Sequence, residues 1–411
     1  MLRLSVDPKG PSITLRSEGA TRYNMYEKIR PLWAEINLDN LAYNAKNIKE
    51  RVGERNVIAI IKADAYGHGA PEVAETLIEA GADAFGVSII TEALQLREKG
   101  IGIPIIVLSY TPETYMEDAV REDITLNCLS YDYAVKLDGV AKKYDKKVKV
   151  LISIDTGIGR LGYSPDEKGM SEIVKIARLE HIEMDGIYTH FALSDSQDKS
   201  FTYVQLERYK KVIERLRKDK VIFNHYHAAN SAAIVDMKET YFDSVRPGII
   251  LYGYYPSNEV VRENISIKPV MSIKGIIIRL KSVPKGTGIS YGHRFVTERE
   301  ETSIATIPIG YADGYFRALS GKGKVIVNGV LCPQVGTVCM DHIMVDVTGV
   351  PNVKEGDTVT IMGSEKGVSF TAEDIAEILQ TIPYEVLCAV SKRVPRVYLK
   401  GGKEVMRKSY V

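Results

Sequence analysis

The sequence predicts an α/β fold in which a closed (β/α)8 TIM-type barrel is followed by a mostly antiparallel β domain. Between residues 38 and 262, short β-rich runs alternate with longer helical patterns, which favours parallel strands. Eight such units over about 225 residues favour a closed barrel over an open sheet. After residue 265, β-branched runs broken by Gly and Pro are typical of antiparallel strands, with Asn328-Gly329 as a hairpin signal.

The chain of 411 residues is long enough for two domains with a core in each. We predict an N-terminal extension at 1–30, a (β/α)8 barrel at 31–265 and a β-strand domain at 266–411. Residues near 31–38 are candidates for pairing with the second domain. The barrel strands are predicted at residues 57–63, 84–88, 104–108, 124–128, 148–155, 185–191, 223–229 and 243–250.

Composition excludes several classes of partner. Fifty-four basic and 53 acidic side chains leave a net charge of +1, which favours neither nucleic acid nor anionic lipid. No window has the eighteen or so apolar residues that a membrane span needs. The four cysteines are widely separated and form no CxxC pair, so we predict reduced thiols, no metal site and a cytoplasmic protein.

Lys62 ends the first predicted strand, at the face where such barrels carry their active sites. Taken alone, a lysine at a strand end most often extends into solvent. Beside apolar residues its pKa would be depressed, and the free amine could form an imine with an aldehyde. The loop that follows, ADAYGHG, contains two glycines, which allow close backbone approach to an anion, and the phenol of Tyr66.

Two later segments have similar chemistry. HAANSAA (227–233) carries Ser231, and RPGIILYG (246–253) carries Gly248 just after an arginine and a proline. They belong to the seventh and eighth strands, where barrels often bind phosphate. A lysine, a phosphate site and an arginine are together what pyridoxal phosphate requires. The alternative that His225 and His227 bind a metal lacks a third ligand nearby in sequence.

Nine motifs in the same order resemble the alanine racemase family, and the likeness extends from Pro31 to Tyr398. They are VIAIIKADAYGHGA, DTGIGRLGY, THFALSD, HAANSA, VRPGIILYG, GISYGHRF, IPIGYADGY, GTVCMDH and TIPYEV. The resemblance implies an isomerase that interconverts L- and D-alanine, binds pyridoxal 5′-phosphate and forms a homodimer with shared active sites. It also implies a supply of D-alanine for peptidoglycan precursors.

The resemblance also implies catalytic roles. Lys62 matches the lysine that binds the cofactor and acts as a base on one face of it. Tyr291 matches the second base, which reaches the other face from the partner subunit. Two bases are needed because a racemase removes a proton on one side and returns one on the other. The other matches are His190, bonded to that tyrosine, Arg160, which supplies positive charge, and Asp341, close to the substrate.

Further residues are matched to the cofactor and the substrate. Arg246 would face the pyridine nitrogen, supported by His227, and would leave that nitrogen unprotonated because arginine only donates hydrogen bonds. Residues matched to the phosphate are Tyr66, Ser231, Gly248, Ile249 and Tyr384, while Lys62, Arg160 and His190 also contact the cofactor. Arg160 and the backbone N–H of Met340 would bind the substrate carboxylate, and Tyr311 would narrow the entrance to favour a small side chain.

Two positions depart from the family pattern. Ser153 stands where many members have a carbamylated lysine that orients the arginine, so we expect an anion or a carboxylate to hold Arg160. Thr337 replaces a common arginine at the entrance, which keeps a serine or broad-specificity racemase open as an alternative. A basic amino-acid decarboxylase and a non-catalytic pyridoxal phosphate carrier are also considered, but Tyr291 and the β domain argue against them.

Overall fold

The computed structural model describes residues 30–411, so the predicted extension lies outside the described residues apart from Arg30. The first strand, β1 (Leu32–Asn37), precedes a closed barrel of eight parallel strands, which confirms the predicted fold class. The barrel strands are β2 (Asn56–Ile60), β3 (Ala84–Val87), β4 (Ile105–Val107), β5 (Ile124–Asn127), β6 (Val148–Ile154), β7 (Ile182–Thr189), β8 (His225–His227) and β9 (Ser244–Val245).

Helical segments alternate with these strands. The longer helices have a buried stripe towards the barrel, and side-chain caps such as Ser130 and Asp166 begin two of them by accepting hydrogen bonds from backbone N–H groups. The segments are α1 (Leu38–Val52), α2 (Lys62–Tyr66), α3 (Ala70–Glu79), α4 (Ile90–Glu98), α5 (Met116–Arg121), α6 (Tyr131–Lys143), α7 (Glu167–Ile176), α8 (Ser200–Lys218) and α9 (Ser231–Asp236).

The eighth barrel strand is shorter than predicted. We predicted residues 243–250, but β9 ends at Val245, and Ile249–Tyr252 form a 3-10 turn. Pro247 has no N–H to donate to a neighbouring strand, so the ladder cannot continue through it. The chain therefore turns at Gly248, beside the carboxyl ends of the strands.

The second domain is a large sheet that also includes β1. Its strands are β10 (Met271–Ile276), β11 (Arg279–Pro284), β12 (Gly288–Ile289), β13 (Phe295–Val296), β14 (Glu301–Ile307), β15 (Lys324–Val327), β16 (Val330–Val335), β17 (Ile343–Asp346), β18 (Thr358–Glu365), β19 (Val368–Phe370), β20 (Arg396–Lys400) and β21 (Lys403–Lys408). Strands β12 and β13 form a separate hairpin. The predicted Asn328-Gly329 turn joins β15 to β16, with both residues at positive φ, as a type I′ turn requires.

Strand β1 lies between β10, its antiparallel neighbour, and β20, which runs parallel to it. The remaining pairs of the large sheet are antiparallel. The predicted helix is present as α10 (Ala372–Leu379), capped by Thr371. A second helix, α11 (Pro383–Cys388), is too short to show a helical pattern and was not predicted. Within residues 30–411 no helix is long and apolar enough to cross a membrane.

Asn44 joins the barrel to the segment that leads into the β domain. This fully buried side chain donates to the carbonyls of Leu251 (2.9 Å) and Lys268 (2.8 Å) and accepts from the Lys268 N–H (2.7 Å). Gly253 packs at the same junction with φ +84°, and a Cβ there would lie 1.8 Å from the Lys268 carbonyl oxygen. The junction is therefore closely packed, with little room for change.

We expect Asn44→Ala to lower the free energy of unfolding by about 3 kcal/mol, because three buried or partly buried backbone groups lose their partner. Asn47 on the same helix is the control, since it donates one exposed hydrogen bond to the Ser266 carbonyl, and Asn47→Ala should cost less than about 1 kcal/mol. Urea denaturation of both variants measures this difference. Equal losses of unfolding free energy in the two variants would show that Asn44 contributes no more to stability than the exposed Asn47.

Candidate active site

A cavity of about 670 Å³ opens at the carboxyl ends of the barrel strands and is covered by α11. It contains every residue that the sequence assigned to the cofactor, contributed by the segments after five barrel strands and by the β domain. These residues are Lys62, Tyr66, Arg160, His190, Ser231, Arg246, Gly248, Ile249 and Tyr384. The barrel and the β domain together thus bring residues that are up to 322 positions apart in the sequence into one cavity.

Lys62 begins an unusual turn. Segment α2 is left-handed, with φ between 52° and 54° at Ala63, Asp64, Ala65 and Tyr66. Such a conformation costs about 1–2 kcal/mol for each L-residue, so the surroundings must hold it. The turn directs Lys62 and Tyr66 into the same cavity, although four positions separate them.

Glu92 in α4 holds the start of this turn. Its Oε1 accepts from the N–H of Ala63 (2.6 Å), and its Oε2 accepts from the N–H of Ser88 (2.8 Å). The left-handed backbone is stabilised internally by a bond from Ala65 N–H to the Ile61 carbonyl (2.9 Å). The sequence analysis missed Glu92, although an acidic residue in the first turn of a helix is a recognisable signal for binding backbone N–H groups.

The amine of Lys62 is set up to be a nucleophile. Burial lowers its pKa from the usual value, and the nearby Arg160 cation lowers it further. The negative charge of Glu92 raises the pKa of Lys62, but this effect is smaller than those of burial and of Arg160. This direction agrees with the depressed pKa expected from the sequence, but the predicted strand end was wrong, because β2 ends at Ile60 and Lys62 begins α2.

Tyr66, Ser231 and Gly248 form a small cradle. The Gly248 N–H donates to Ser231 Oγ at 2.8 Å, and a Cβ on Gly248 would lie 2.8 Å from the Tyr66 hydroxyl. The space for a ligand atom beside two hydroxyls therefore exists only because residue 248 has no side chain. The Tyr384 ring lies 5.8 Å from the Tyr66 ring and lines the same cavity. This donor set fits a phosphate group.

Arg246 is a buried cation on the cavity wall, 4% exposed. Its guanidinium donates to His227 Nδ1 (2.7 Å) and to the carbonyls of Thr189 (2.7 Å) and Ala228 (3.1 Å). Burial lowers its pKa to about 10, so it stays charged at neutral pH. Because arginine cannot accept, His227 must be the acceptor at Nδ1, and burial keeps the pKa of this histidine well below the usual value.

Tyr188 supports this pair and was not identified from the sequence. Its ring lies 4.9 Å from the Arg246 guanidinium carbon and stacks on His227 with 5.4 Å between the ring centroids. Tyr188 is one of 24 tyrosines, so its position at the end of β7 is the only signal that could have found it.

His190 is neutral in this surrounding. Burial, reinforced by the positive charges of Arg246, Arg160 and Lys62, lowers its pKa to about 3. A neutral imidazole in a cavity that already holds three basic side chains can accept a hydrogen bond from a phenol without adding charge.

Arg160 is exposed and lines the cavity, whereas the nearby Ser153 is buried. The Ser153 hydroxyl finds no hydrogen-bond partner within residues 30–411. None of the ion pairs in this part of the chain includes Arg160, so the carboxylate that we considered as its orienting partner is not found among these residues. The alternative, a bound anion, stays a prediction.

The remaining predicted residues form a second cluster on the β domain and, among the described residues, do not line this cavity. Tyr291, Met340 and Tyr311 are 71%, 52% and 43% exposed. The Tyr311 N–H donates to the Cys339 carbonyl (3.1 Å), and Arg393 holds Asp341 through a 2.8 Å hydrogen bond. One chain therefore carries two separate groups of functional candidates.

Thr337 supports the loop that carries Tyr291. The loop is strained, with positive φ at Ser290, Gly292 and His293. Thr337 is 2% exposed, and its hydroxyl donates to the Tyr291 carbonyl at 2.8 Å. At this position the threonine thus supports the backbone of the Tyr291 loop.

The comparison with known families covers both of the domains that carry these two groups. The profile described as alanine racemase, N-terminal domain, matches residues 36–256, and the alanine racemase, C-terminal domain, matches residues 270–398. The chain belongs to the alanine racemase family. It is therefore an enzyme of the isomerase class.

Members of this family match the chain over nearly its whole length. Alanine racemase 1 of Clostridium acetobutylicum is 47% identical over 387 residues, which cover 94% of this chain and all of that protein. The structure of Clostridium difficile alanine racemase in complex with cycloserine has a TM-score of 0.88 at 40% identity, covering 94% of this chain and all of the other. Bartonella henselae alanine racemase with covalently bound pyridoxal phosphate has a TM-score of 0.79 at 31% identity, covering 90% and 99%.

Within the described residues, no three His, Cys, Asp or Glu side chains come close enough to hold a metal ion. All four cysteines are free thiols. The two imidazoles of His225 and His227 therefore lack the third ligand that a metal site needs.

We expect Lys62 to undergo reductive methylation with formaldehyde at a lower pH in the wild type than in Arg160→Met. Removing the Arg160 cation raises the lysine pKa and leaves less free amine at a given pH. Mass spectrometry of the Lys62 peptide as a function of pH measures the shift. Arg178→Met, an exposed arginine outside the cavity, is the control, and an identical shift in both variants would exclude the local effect of Arg160.

Proposed function

We propose that this protein interconverts L- and D-alanine with pyridoxal 5′-phosphate as its cofactor and two bases on opposite faces. The observation that carries the proposal is the cavity in which Lys62 lies with the Tyr66–Ser231–Gly248 cradle and the cation of Arg246. The named activity of the relatives supports alanine as the substrate. When bound, the cofactor would withdraw electrons from the substrate α-carbon and make its proton acidic.

The residues of the cavity fit the parts of this cofactor. The hydroxyls of Tyr66, Ser231 and Tyr384, with the backbone of Gly248 and Ile249, would hold the phosphate without a direct cation. Arg246 would donate to the ring nitrogen, since it is held by His227 and cannot accept a proton. The phosphate and the ring nitrogen of the cofactor would thus both be held at fixed positions relative to Lys62.

Lys62 would bind the aldehyde carbon of the cofactor and then move protons on one face of the substrate. Its lowered pKa supplies the free amine that both tasks need. Arg160 would bind the substrate carboxylate, because it lines the cavity and no ion pair among the described residues includes it. The neutral His190 would accept the hydrogen bond of the second base.

We propose Tyr291 of the partner subunit as that second base, in a homodimer with two shared active sites. In one chain Tyr291 is largely exposed and lies on the β domain, outside the cavity formed by the described residues. Met340, Asp341 and Tyr311 belong to the same exposed cluster and would come with it. Met340 N–H would meet the substrate carboxylate, and Tyr311 would limit the size of its side chain.

The alternatives have less support. Both domains match the alanine racemase family, which argues against a decarboxylase and against a single-barrel carrier. A serine or broad-specificity racemase stays a prediction, and the burial of Thr337 offers no observation in its favour. The free cysteines and the near-zero net charge support the proposed cytoplasmic location and a small-molecule partner.

The protein should racemise L-alanine in deuterated water, with loss of both optical rotation and the α-proton signal. Lys62→Ala should abolish the visible absorbance of the bound cofactor. Tyr291→Phe should keep that absorbance and slow racemisation by about 10²-fold or more in both directions, because each turnover needs both bases, while Lys62 still exchanges the α-proton of the one enantiomer that it faces. Exchange without change in rotation in the wild type, or a mild loss in Tyr291→Phe with both enantiomers still exchanging equally, would contradict the two-base proposal.

Shared sites predict complementation between subunits. Lys62→Ala and Tyr291→Phe should each be nearly inactive, but mixed dimers contain one site with both native residues. After denaturation and refolding together, the mixture should recover about one quarter of the wild-type activity. Each variant refolded alone is the control. No recovery in a mixture that contains mixed dimers would place both bases in one chain.

A further inference from the structure

The C-terminal strands lie outside the barrel and bind the turn that begins at Lys62. Arg396, at the start of β20, is 2% exposed and donates through Nε to the Gly67 carbonyl at 3.0 Å. Tyr398 in the same strand donates through its hydroxyl to the His68 carbonyl at 2.9 Å. Two backbone carbonyls just after α2 are thus bound by one strand of the other domain.

Tyr410 extends this contact into the turn itself. Its hydroxyl donates to Oδ2 of Asp64, which lies midway between Lys62 and Tyr66, and the other carboxylate oxygen accepts from the Ala70 N–H at 2.8 Å. Asp64 has φ 53°, so this hydrogen bond acts on a residue in the left-handed region.

Two cationic side chains, Lys408 and Arg396, lie against the Tyr410 ring and favour its position beside Asp64. The Tyr410 ring centroid lies 4.5 Å from Lys408 Nζ and 5.3 Å from the Arg396 guanidinium carbon. Burial and the negative charge of Asp64 raise the pKa of Tyr410, so its hydroxyl remains a donor throughout the physiological range. A hydroxyl that donates to a carboxylate makes one of the stronger hydrogen bonds in proteins.

We propose that Tyr410 is a positioning residue that, through Asp64, holds the left-handed turn and so fixes the relative position of Lys62 and Tyr66. This inference rests on the proposed function, because the expected consequence is slow release of pyridoxal phosphate. The family profile ends at residue 398, so Tyr410 lies beyond the matched domains.

The left-handed turn is strained and depends on hydrogen bonds from other parts of the chain. A left-handed turn of four L-residues relaxes towards right-handed conformations when external bonds are lost. Relaxation would move the Lys62 amine relative to the Tyr66 hydroxyl, while the rest of the cavity wall stays in place. Since Lys62 would hold the aldehyde carbon and Tyr66 the phosphate, the two anchors would no longer suit one molecule at once.

The test is Tyr410→Phe, which keeps the ring and removes only the hydroxyl. Amide hydrogen exchange should accelerate at residues 63–69 in the cofactor-free protein, and release of pyridoxal phosphate from the holoenzyme should become about tenfold faster. The global unfolding midpoint should stay near that of the wild type. Tyr203→Phe is the matched control, because it removes an exposed hydroxyl–carboxylate bond to Glu239 of 2.9 Å without effect on either readout.

A double-mutant cycle shows whether Asp64 transmits the effect. In an Asp64→Ala background, Tyr410→Phe should change neither exchange nor release further. Wild-type release and exchange in Tyr410→Phe, or the same acceleration with and without Asp64, would overturn the proposal. A wild-type protein that takes up no pyridoxal phosphate overturns the proposed function itself, whereas normal uptake with an unchanged release rate overturns only the role of Tyr410.

Discussion

The left-handed turn α2 is the constraint on which the site depends. Four consecutive L-residues at positive φ are unstable by themselves, and they persist because bonds from separate parts of the chain hold them. Glu92 comes from the adjacent βα unit, while Arg396 and Tyr398 come from the β domain. The barrel alone would therefore not present Lys62 and Tyr66 in this arrangement, and the two domains of one chain form a single functional unit.

Charge is the second organising feature. Lys62, Arg160 and Arg246 line one cavity, and the described hydrogen-bond partners of Arg246 are an imidazole and two carbonyls. Burial, reinforced by the neighbouring positive charges, lowers the pKa of both Lys62 and His190. The excess of positive charge also suits a ligand that carries both a phosphate and a carboxylate. The environment that lowers the pKa of Lys62 and His190 is thus also one that favours an anionic ligand.

The site is divided between two surfaces of one chain. The cavity holds the groups that fit the cofactor, and the exposed cluster around Tyr291 holds the groups matched to the second base and the substrate entrance. The Tyr291 loop has positive φ on either side of the tyrosine and is tied to the buried Thr337. The exposure of Tyr291, on a loop whose backbone is held at positive φ, is what the proposed shared site between subunits requires.

The sequence by itself determined the fold class and most of the cavity. Alternating strands and helices predicted the barrel, because that pattern is local. The residues that line the cavity were predicted through the resemblance of nine ordered motifs to the alanine racemase family. The tertiary structure alone decided the handedness of α2, the end of β9 before Pro247, and the supporting roles of Glu92, Tyr188 and Tyr410. These features arise from contacts between residues as far apart as Asp64 and Tyr410. Local propensity carries no information about such contacts, since only the folded chain brings the partners within hydrogen-bond distance.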